Sequence, residues 1–395
     1  MSPWTVLAAA MTAGTAVSLI GQAYPILAPY IRADLGLSLA AVGLLNTFIY
    51  TGTMLGSLPS GWLTDKLGSR KVMIAGTLIG AGLALAVALF VKSQWAFIPF
   101  LFLVGLVVAS ATPAGSQAVA RSFPPERRGL VIGLRQMAVP LGGTLAAAVL
   151  PAVAHLSSWR WASAVAALLG VLAAWVTARL YQEPSSSPTP IPGPRPRLRQ
   201  VLQERNILLA SVAGVTLPTG QFVMITYLIL FLKERLGVPE LTGAALLTAA
   251  QLAGALSRVF WSWLSDALGG QRKPLLVTMV AMAGLCALVL AWLPPGTPLF
   301  LKTLVVVLYG ATALGWQGLH FSLMTELSPP GWEGRVVGFA LVFTSIGIAL
   351  APPLFGLLVD LSQNYALGWL AQAAVFGLGA WLLSNVAEPK GARRG

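Results

Sequence analysis

Charge is what this chain has least of. Only 9% of its 395 residues are charged, against about 25% in an ordinary soluble domain. Acid is scarcer than base, with twelve Asp and Glu in all, and none of the twelve lies inside an apolar run. The single cysteine, Cys286, excludes an intrachain disulfide and a cysteine-rich metal site. Two histidines and no buried pair of carboxylates leave few catalytic constellations. An enzyme is therefore not expected, nor a metal or cofactor. The net charge of +13 is spread thinly over short connecting segments. That pattern orients a membrane protein and does not mark a nucleic-acid-binding face.

What the chain has is hydrocarbon, at 56% hydrophobic residues. Apolar runs of about twenty residues, each long enough to cross a bilayer as a helix, recur along its length. Cutting at charges, prolines and loop residues predicts twelve spans, at 4–31, 38–63, 72–91, 95–120, 129–152, 159–181, 206–232, 241–265, 274–293, 298–325, 334–359 and 365–387. The first has no basic segment ahead of it and reads as a retained span, not a cleaved signal. The expected class is an all-α membrane protein of two six-helix bundles, 1–182 and 206–395. They are joined by a Pro/Ser- and Arg-rich linker at 183–205. With the N-terminus inside, the inner segments hold seventeen Lys and Arg and the outer ones six. Both termini are thus expected on the cytoplasmic side of a cytoplasmic membrane. Trp4, Trp95 and Trp159, near span ends, read as interface anchors.

The two halves repeat each other. A shift of 201 residues puts Trp62 on Trp263, Asp65 on Asp266 and Gly68 on Gly269, and a shift of 205 puts Gly133 on Gly338. Six spans repeated in one orientation match parallel repeats about an axis normal to the membrane.

These residues resemble the major facilitator superfamily. "GWLTDKLGSRK", residues 61–71, is similar to that family's loop between its second and third helices, and "SWLSDALGGQRK", 262–273, is its second copy with Ser262 for the leading Gly. The resemblance implies that Asp65, Arg70, Asp266 and Arg272 act in conformational gating. "SRVFWSWLSD" resembles the eighth helix of oxalate/formate and monocarboxylate-type carriers, which would make Arg258 a carboxylate-binding arginine. "GLRQMAVPLGG" is similar in part to the fifth-helix signature of exporters, with Val139 in place of a glycine.

Arg135 and Arg258 are the two arginines outside any loop. An arginine at the centre of a span costs roughly 2.5–3.5 kcal/mol on insertion scales. Helix counting at 1.5 Å per residue places both roughly 8–9 Å to the cytoplasmic side of the midplane, with His320 at a similar depth. The 205 shift puts Ala340 at the place of Arg135, and the 201 shift puts Ser57 at that of Arg258. A role shared by the halves would recur in both copies, as Asp65 and Asp266 do. Buried cations need counter-charge, and a guanidinium fork suits carboxylate or an inorganic oxyanion. Arg135 and Arg258 are therefore expected to bridge a small anion. His320, Gln22, Tyr24, Asn46, Tyr50, Gln221, Gln251 and Gln317 are candidates to complete the site. Pro/Gly interruptions beside Gln22, Tyr24 and Gln221 support that placement.

The expected function is a secondary transporter of a small anion, working as a single chain by alternating access, either as an exchanger or as a proton-linked symporter. The competing readings are a multidrug efflux transporter and a membrane sensor that transports nothing. A bland reading of the arginines has Arg258 reaching toward Asp266 and Arg135 snorkelling to the interface.

Overall fold

The computed structural model describes residues 2–182, 204–329 and 332–387. All its regular structure there is helical. Twelve stretches are long and apolar enough to span a membrane, from Pro3–Ile26 to Tyr365–Ser384. The linker expected at 183–205 lies, up to residue 203, outside the described residues.

Sixteen helices make up the twelve spans, because several spans are broken. In the first half they are α1 (Pro3–Ile26), α2 (Ala28–Leu35), α3 (Leu39–Leu67), α4 (Ser69–Phe90), α5 (Gln94–Ser122), α6 (Pro125–Gln136), α7 (Ala138–Leu156) and α8 (Trp159–Leu180). In the second they are α9 (Arg205–Thr216), α10 (Thr219–Leu236), α11 (Glu240–Ala267), α12 (Arg272–Trp292), α13 (Leu299–Ala313), α14 (Trp316–Leu327), α15 (Glu333–Ser362) and α16 (Tyr365–Ser384).

Two of the breaks follow from proline chemistry. Pro140 has no N–H for the carbonyl of Gln136, four residues back, and the fifth span breaks between α6 and α7 at Met137. Pro218 deprives Gly214 in the same way, and the seventh span breaks at Leu217–Pro218. The tenth span breaks at Leu314–Gly315 without a proline.

Chain contacts divide the protein into two units. One comprises Met1–Thr189 with Ile225–Glu234 and Val238–Thr248; the other comprises Pro190–Met224, Arg235–Gly237 and Ala249–Gly395. In each unit the helices approach through glycine, as expected where lipid supplies no hydrophobic drive between them. A Cβ on Gly105 of α5 would fall on the carbonyl oxygen of Ile49 in α3, and a Cβ on Gly142 of α7 would stand 2.5 Å from the carbonyl oxygen of Thr15 in α1. In the other unit a Cβ on Gly310 of α13 would fall on the carbonyl oxygen of Ala250 in α11, and one on Gly347 of α15 on that of Val215 in α9.

The glycines of the loop signature do not mark a close approach of helices. Gly61 faces open space, whereas Gly68 takes φ +87° and its counterpart Gly269 φ +76°. Both serve the turn, since only glycine adopts positive φ without a steric cost. Trp4 and Trp95 are exposed, as interface anchors should be, but Trp159 is only 2% exposed. Asp34 captures it: the indole Nε1 donates to the Asp34 carboxylate at 3.0 Å, and Arg160 pairs with the same oxygen at 2.8 Å. The Trp159 indole, and then Arg160, hold the Asp34 carboxyl below the usual carboxylate range.

Candidate functional site

In the first unit the break in the fifth span gathers the polar groups. Gln22 of α1 is buried and donates its amide to the carbonyl of Val139 at 3.0 Å, just past the break. Arg135, two residues before the break, is 2% exposed. It does not snorkel. It turns across to α5, where Nη2 donates to the carbonyl of Ala111 at 2.6 Å and Nη1 to the Ser116 hydroxyl at 3.3 Å and the Gln136 amide oxygen at 3.0 Å. Its Nε is buried and makes no hydrogen bond to any described residue. Every partner among the described residues is neutral, so these dipoles orient the guanidinium without cancelling its charge.

The guanidinium fits because residue 115 is glycine: a Cβ there would lie 2.8 Å from Nε. The sequence reading missed Gly115, Ser116 and the Ala111 carbonyl as parts of this site. Its one available signal was "ATPAG" at 111–115, a Pro/Gly interruption inside the fourth span.

Other first-unit candidates lie elsewhere. Tyr24 is fully buried, its hydroxyl 3.2 Å from that of Ser163 on α8, in a contact between helices. Asn46 donates to the Thr226 hydroxyl at 2.5 Å, within the same unit. Tyr50 is half-buried on α3.

In the second unit the break in the tenth span plays the corresponding part. Arg258 of α11 is 7% exposed, and its Nε donates to the carbonyl of Leu314 at 3.1 Å, at the break itself. The indole of Trp261, one turn on, donates to the carbonyl of Ala311 at 3.3 Å. These side chains supply donors that a broken helix end lacks. Asp266 pairs instead with Arg272 at 2.6 Å. Just past the break, α14 carries Trp316, Gln317 and His320. Trp316 and His320 are buried with ring centroids 6.0 Å apart, and Gln317 is half-buried. Gln221 is buried on α10, its amide oxygen without a hydrogen bond to any described residue, and Gln251 is fully buried on α11.

The gating candidates use different partners in the two halves. Asp65 accepts from the Gln117 side chain at 2.7 Å, and Gln117 accepts in turn from the Ser69 hydroxyl at 2.8 Å. Arg70 closes the end of α8, donating to the carbonyls of Tyr181 at 2.6 Å and Ala178 at 2.9 Å. Arg272 bridges Asp266 and Glu326, the latter at 3.2 Å.

Each unit therefore holds a buried guanidinium anchored at or beside a helix break, an arrangement that can accept a carboxylate or another oxyanion. Comparison with known proteins bears on the class. The chain is similar to an uncharacterized MFS-type transporter of Mycobacterium tuberculosis, 29% identical over 95% of this chain and 83% of that one. It is also similar to monocarboxylate transporter 13 of Rattus norvegicus, at 27% identity over 81% of this chain and 74% of the relative. A gentisate transporter of Corynebacterium glutamicum is 25% identical over 89% and 79%. In fold it is similar to a bacterial homolog of the human lysosomal transporter Spinster, with a TM-score of 0.80 and 18% identity over 96% of both chains. The pattern of the Major Facilitator Superfamily matches residues 6–352. With that match over most of its length and twelve candidate spans, this chain belongs to the Major Facilitator Superfamily of membrane transporters.

Proposed function

We propose that this protein is a secondary transporter of small organic anions, with Arg135 and Arg258 as the side chains that bind the substrate carboxylate. The observation that carries this reading is the setting of Arg135. Among the described residues, a 2%-exposed guanidinium is held only by a carbonyl, a hydroxyl and an amide oxygen. A buried cation without counter-charge is costly, and an anionic guest supplies what the protein withholds. Relatives named for monocarboxylates and for gentisate support the same substrate class.

His320, Gln22, Gln221, Gln251 and Gln317 are proposed to contribute polar contacts, with Tyr24, Asn46 and Tyr50 shaping the surrounding packing. Asp65, Arg70, Asp266 and Arg272 are proposed as parts of the conformational switch of an alternating-access cycle. The two repeats act as the moving bundles, and both termini lie on the inner side of the cytoplasmic membrane. Returning empty leaves the buried Arg135 guanidinium without counter-charge from any described residue, which favours exchange of one anion for another.

The test is ligand-induced thermal stabilisation of the purified chain by a panel of carboxylates, dicarboxylates, inorganic oxyanions and cationic dyes. Stabilisation by anions that is lost in both Arg135→Gln and Arg258→Gln supports the reading. Stabilisation only by cationic dyes, or by anions equally in all three proteins, defeats it. In liposomes, uptake of the stabilising anion should need an internal anion, and equal uptake into empty vesicles would rule out exchange.

A further inference from the structure

We infer that Trp316 and His320 form a hydrogen-bonding subsite in the second unit that takes the hydroxyl of a hydroxylated carboxylate, an inference that rests on the anion-carrier reading above.

Three ring nitrogens within one turn of α14 are buried and make no hydrogen bond to any described residue: Nε1 of Trp316 and both Nδ1 and Nε2 of His320. The residues are 2% and 0% exposed. Buried polar groups are nearly always bonded, and each exception asks for a partner. Packing alone gives no reason to keep all three, since phenylalanine fills similar space without the cost.

The internal repeat makes the placement specific. The 205 shift that maps the fifth span on the eleventh also maps the fourth on the tenth. It puts Gly115 on His320 and Arg135 on Ala340. In the first half a large basic side chain on the fifth span lies against a glycine of the fourth. In the second half the basic ring comes from the tenth span, and the eleventh supplies alanine at the matching place. The partners of Arg135 are not reproduced: the same shift puts Phe321 at Ser116 and Leu341 at Gln136. The second half has thus kept a basic group and dropped the two side-chain acceptors that help to orient it in the first. On its other side the ring meets bare backbone, because a Cβ on Gly214 would come within 3.0 Å of Nε2.

Arg258 supplies the neighbouring cation. Its Nε bond to the Leu314 carbonyl at 3.1 Å fixes the side chain two residues ahead of Trp316 in sequence, at the same helix break. An anion held by Arg258 would present its substituents to the start of α14. The donor inventory then selects the substituent. An indole offers one donor, and a neutral imidazole one donor and one acceptor. A hydroxyl can accept from the indole while donating to the imidazole. A keto oxygen only accepts, and a hydrogen or methyl does neither.

The experiment measures binding to the full-length purified chain of acids paired to differ by one hydroxyl: glycolate against acetate, lactate against propionate, and 3-hydroxybenzoate against benzoate. Wild type should bind the hydroxylated member of at least one pair about 10-fold more tightly, the scale of one or two satisfied buried hydrogen bonds. Trp316→Phe and His320→Phe should each reduce that preference to within about 3-fold by weakening the hydroxylated acid more than its partner, with a cooperative thermal melt certifying the fold. Equal binding of both members by wild type, or a preference that survives both substitutions, overturns this inference and leaves the anion carrier standing. A variant that loses both members equally marks a packing role and overturns it too. Failure of every pair to bind wild type overturns the carrier reading and this subsite with it.

Discussion

The two halves of this transporter share their backbone contacts and differ in their buried side chains. Gly105 against Ile49 and Gly310 against Ala250 are the same contact under the 205 and 201 shifts. Gly142 against Thr15 and Gly347 against Val215 are a second such pair, with the last shift 200. These contacts build the bundle, so both copies need them. In the middle of the spans the equivalence stops. The carbonyl of Ala109, freed by Pro113 four residues on, accepts from the Ser60 hydroxyl at 3.1 Å. Its counterpart, the carbonyl of Leu314, accepts from Arg258. A neutral donor and a cation do the same structural work, and only the cation can also hold an anion. The repeat thus separates groups that build the fold from groups that go beyond it.

The sharpest way to break the comparison is at the shared contacts. Gly105→Ala and Gly310→Ala each drive a methyl onto a backbone carbonyl that cannot move aside. Both should lower stability by about 3 kcal/mol, near the top of the usual range for overpacking. Thermal melting of the purified variants checks this, and a loss in one half only would show that the copies are not equivalent.

Next come the unshared cations. Arg135→Gln and Arg258→Gln should each weaken anion binding by about 10- to 100-fold, the worth of a charge-assisted hydrogen bond. Ser57, the counterpart of Arg258, back-bonds to the carbonyl of Thr53 at 2.6 Å. Ser57→Ala should therefore leave binding unchanged in the same titration. Arg135→Met should raise the melting temperature of the ligand-free protein, because an apolar chain of similar length removes an uncompensated charge.

A smaller effect is expected at Gly115. Gly115→Ala adds a methyl 2.8 Å from Nε of Arg135 and shifts the guanidinium without removing it. Affinity should fall about 3- to 10-fold with the melting point little changed, in keeping with the loss of one well-placed hydrogen bond.

The smallest concerns the outer clasp of Asp34 with Trp159 and Arg160. The second half lacks it, since the 205 shift puts Asn364 and Tyr365 at the places of the last two. The folded Asp34 carboxyl is depressed by the Trp159 indole and by Arg160. Its contribution is therefore complete above the ordinary carboxylate value of 3.8 and fades as pH falls through the lower folded value. Asp34→Asn should cost less than about 1 kcal/mol at neutral pH, as exposed ion pairs do. Melting curves of the two proteins should converge in acid.

Much of the fold was legible in the sequence because the bilayer imposes a simple rule. Every span must be about twenty apolar residues with its backbone bonded internally, so length and hydropathy alone locate the spans. The break at Pro218 was legible as the interruption beside Gln221, whereas the one at Pro140 was not, since prolines such as Pro59 and Pro113 remove a donor inside helices that continue through them. The break at Leu314–Gly315 was not, because glycine permits a bend without requiring one. Trp159 was misjudged because a tryptophan at a span end ordinarily anchors at the interface. Nothing local reveals that Asp34, 125 residues earlier, captures its indole. At the site, Arg135, Arg258 and His320 stood out for their cost in hydrocarbon. The cradle of Gly115 and Ala111 did not, since it acquires meaning only from the helix opposite.

The sequence by itself determined the class of this protein, the number of its spans, the doubling of its plan and the presence of cations without internal acids. Those are properties of composition and period, which a helix in lipid reads one residue at a time. The tertiary structure alone decided what each buried polar group touches: that Arg135 turns to a carbonyl of the neighbouring span, that Arg258 caps a broken helix, and that the His320 ring meets no hydrogen-bond partner among the described residues. Contacts between helices depend on rotation and depth to within a few ångströms, and no single helix encodes the face its neighbour will present.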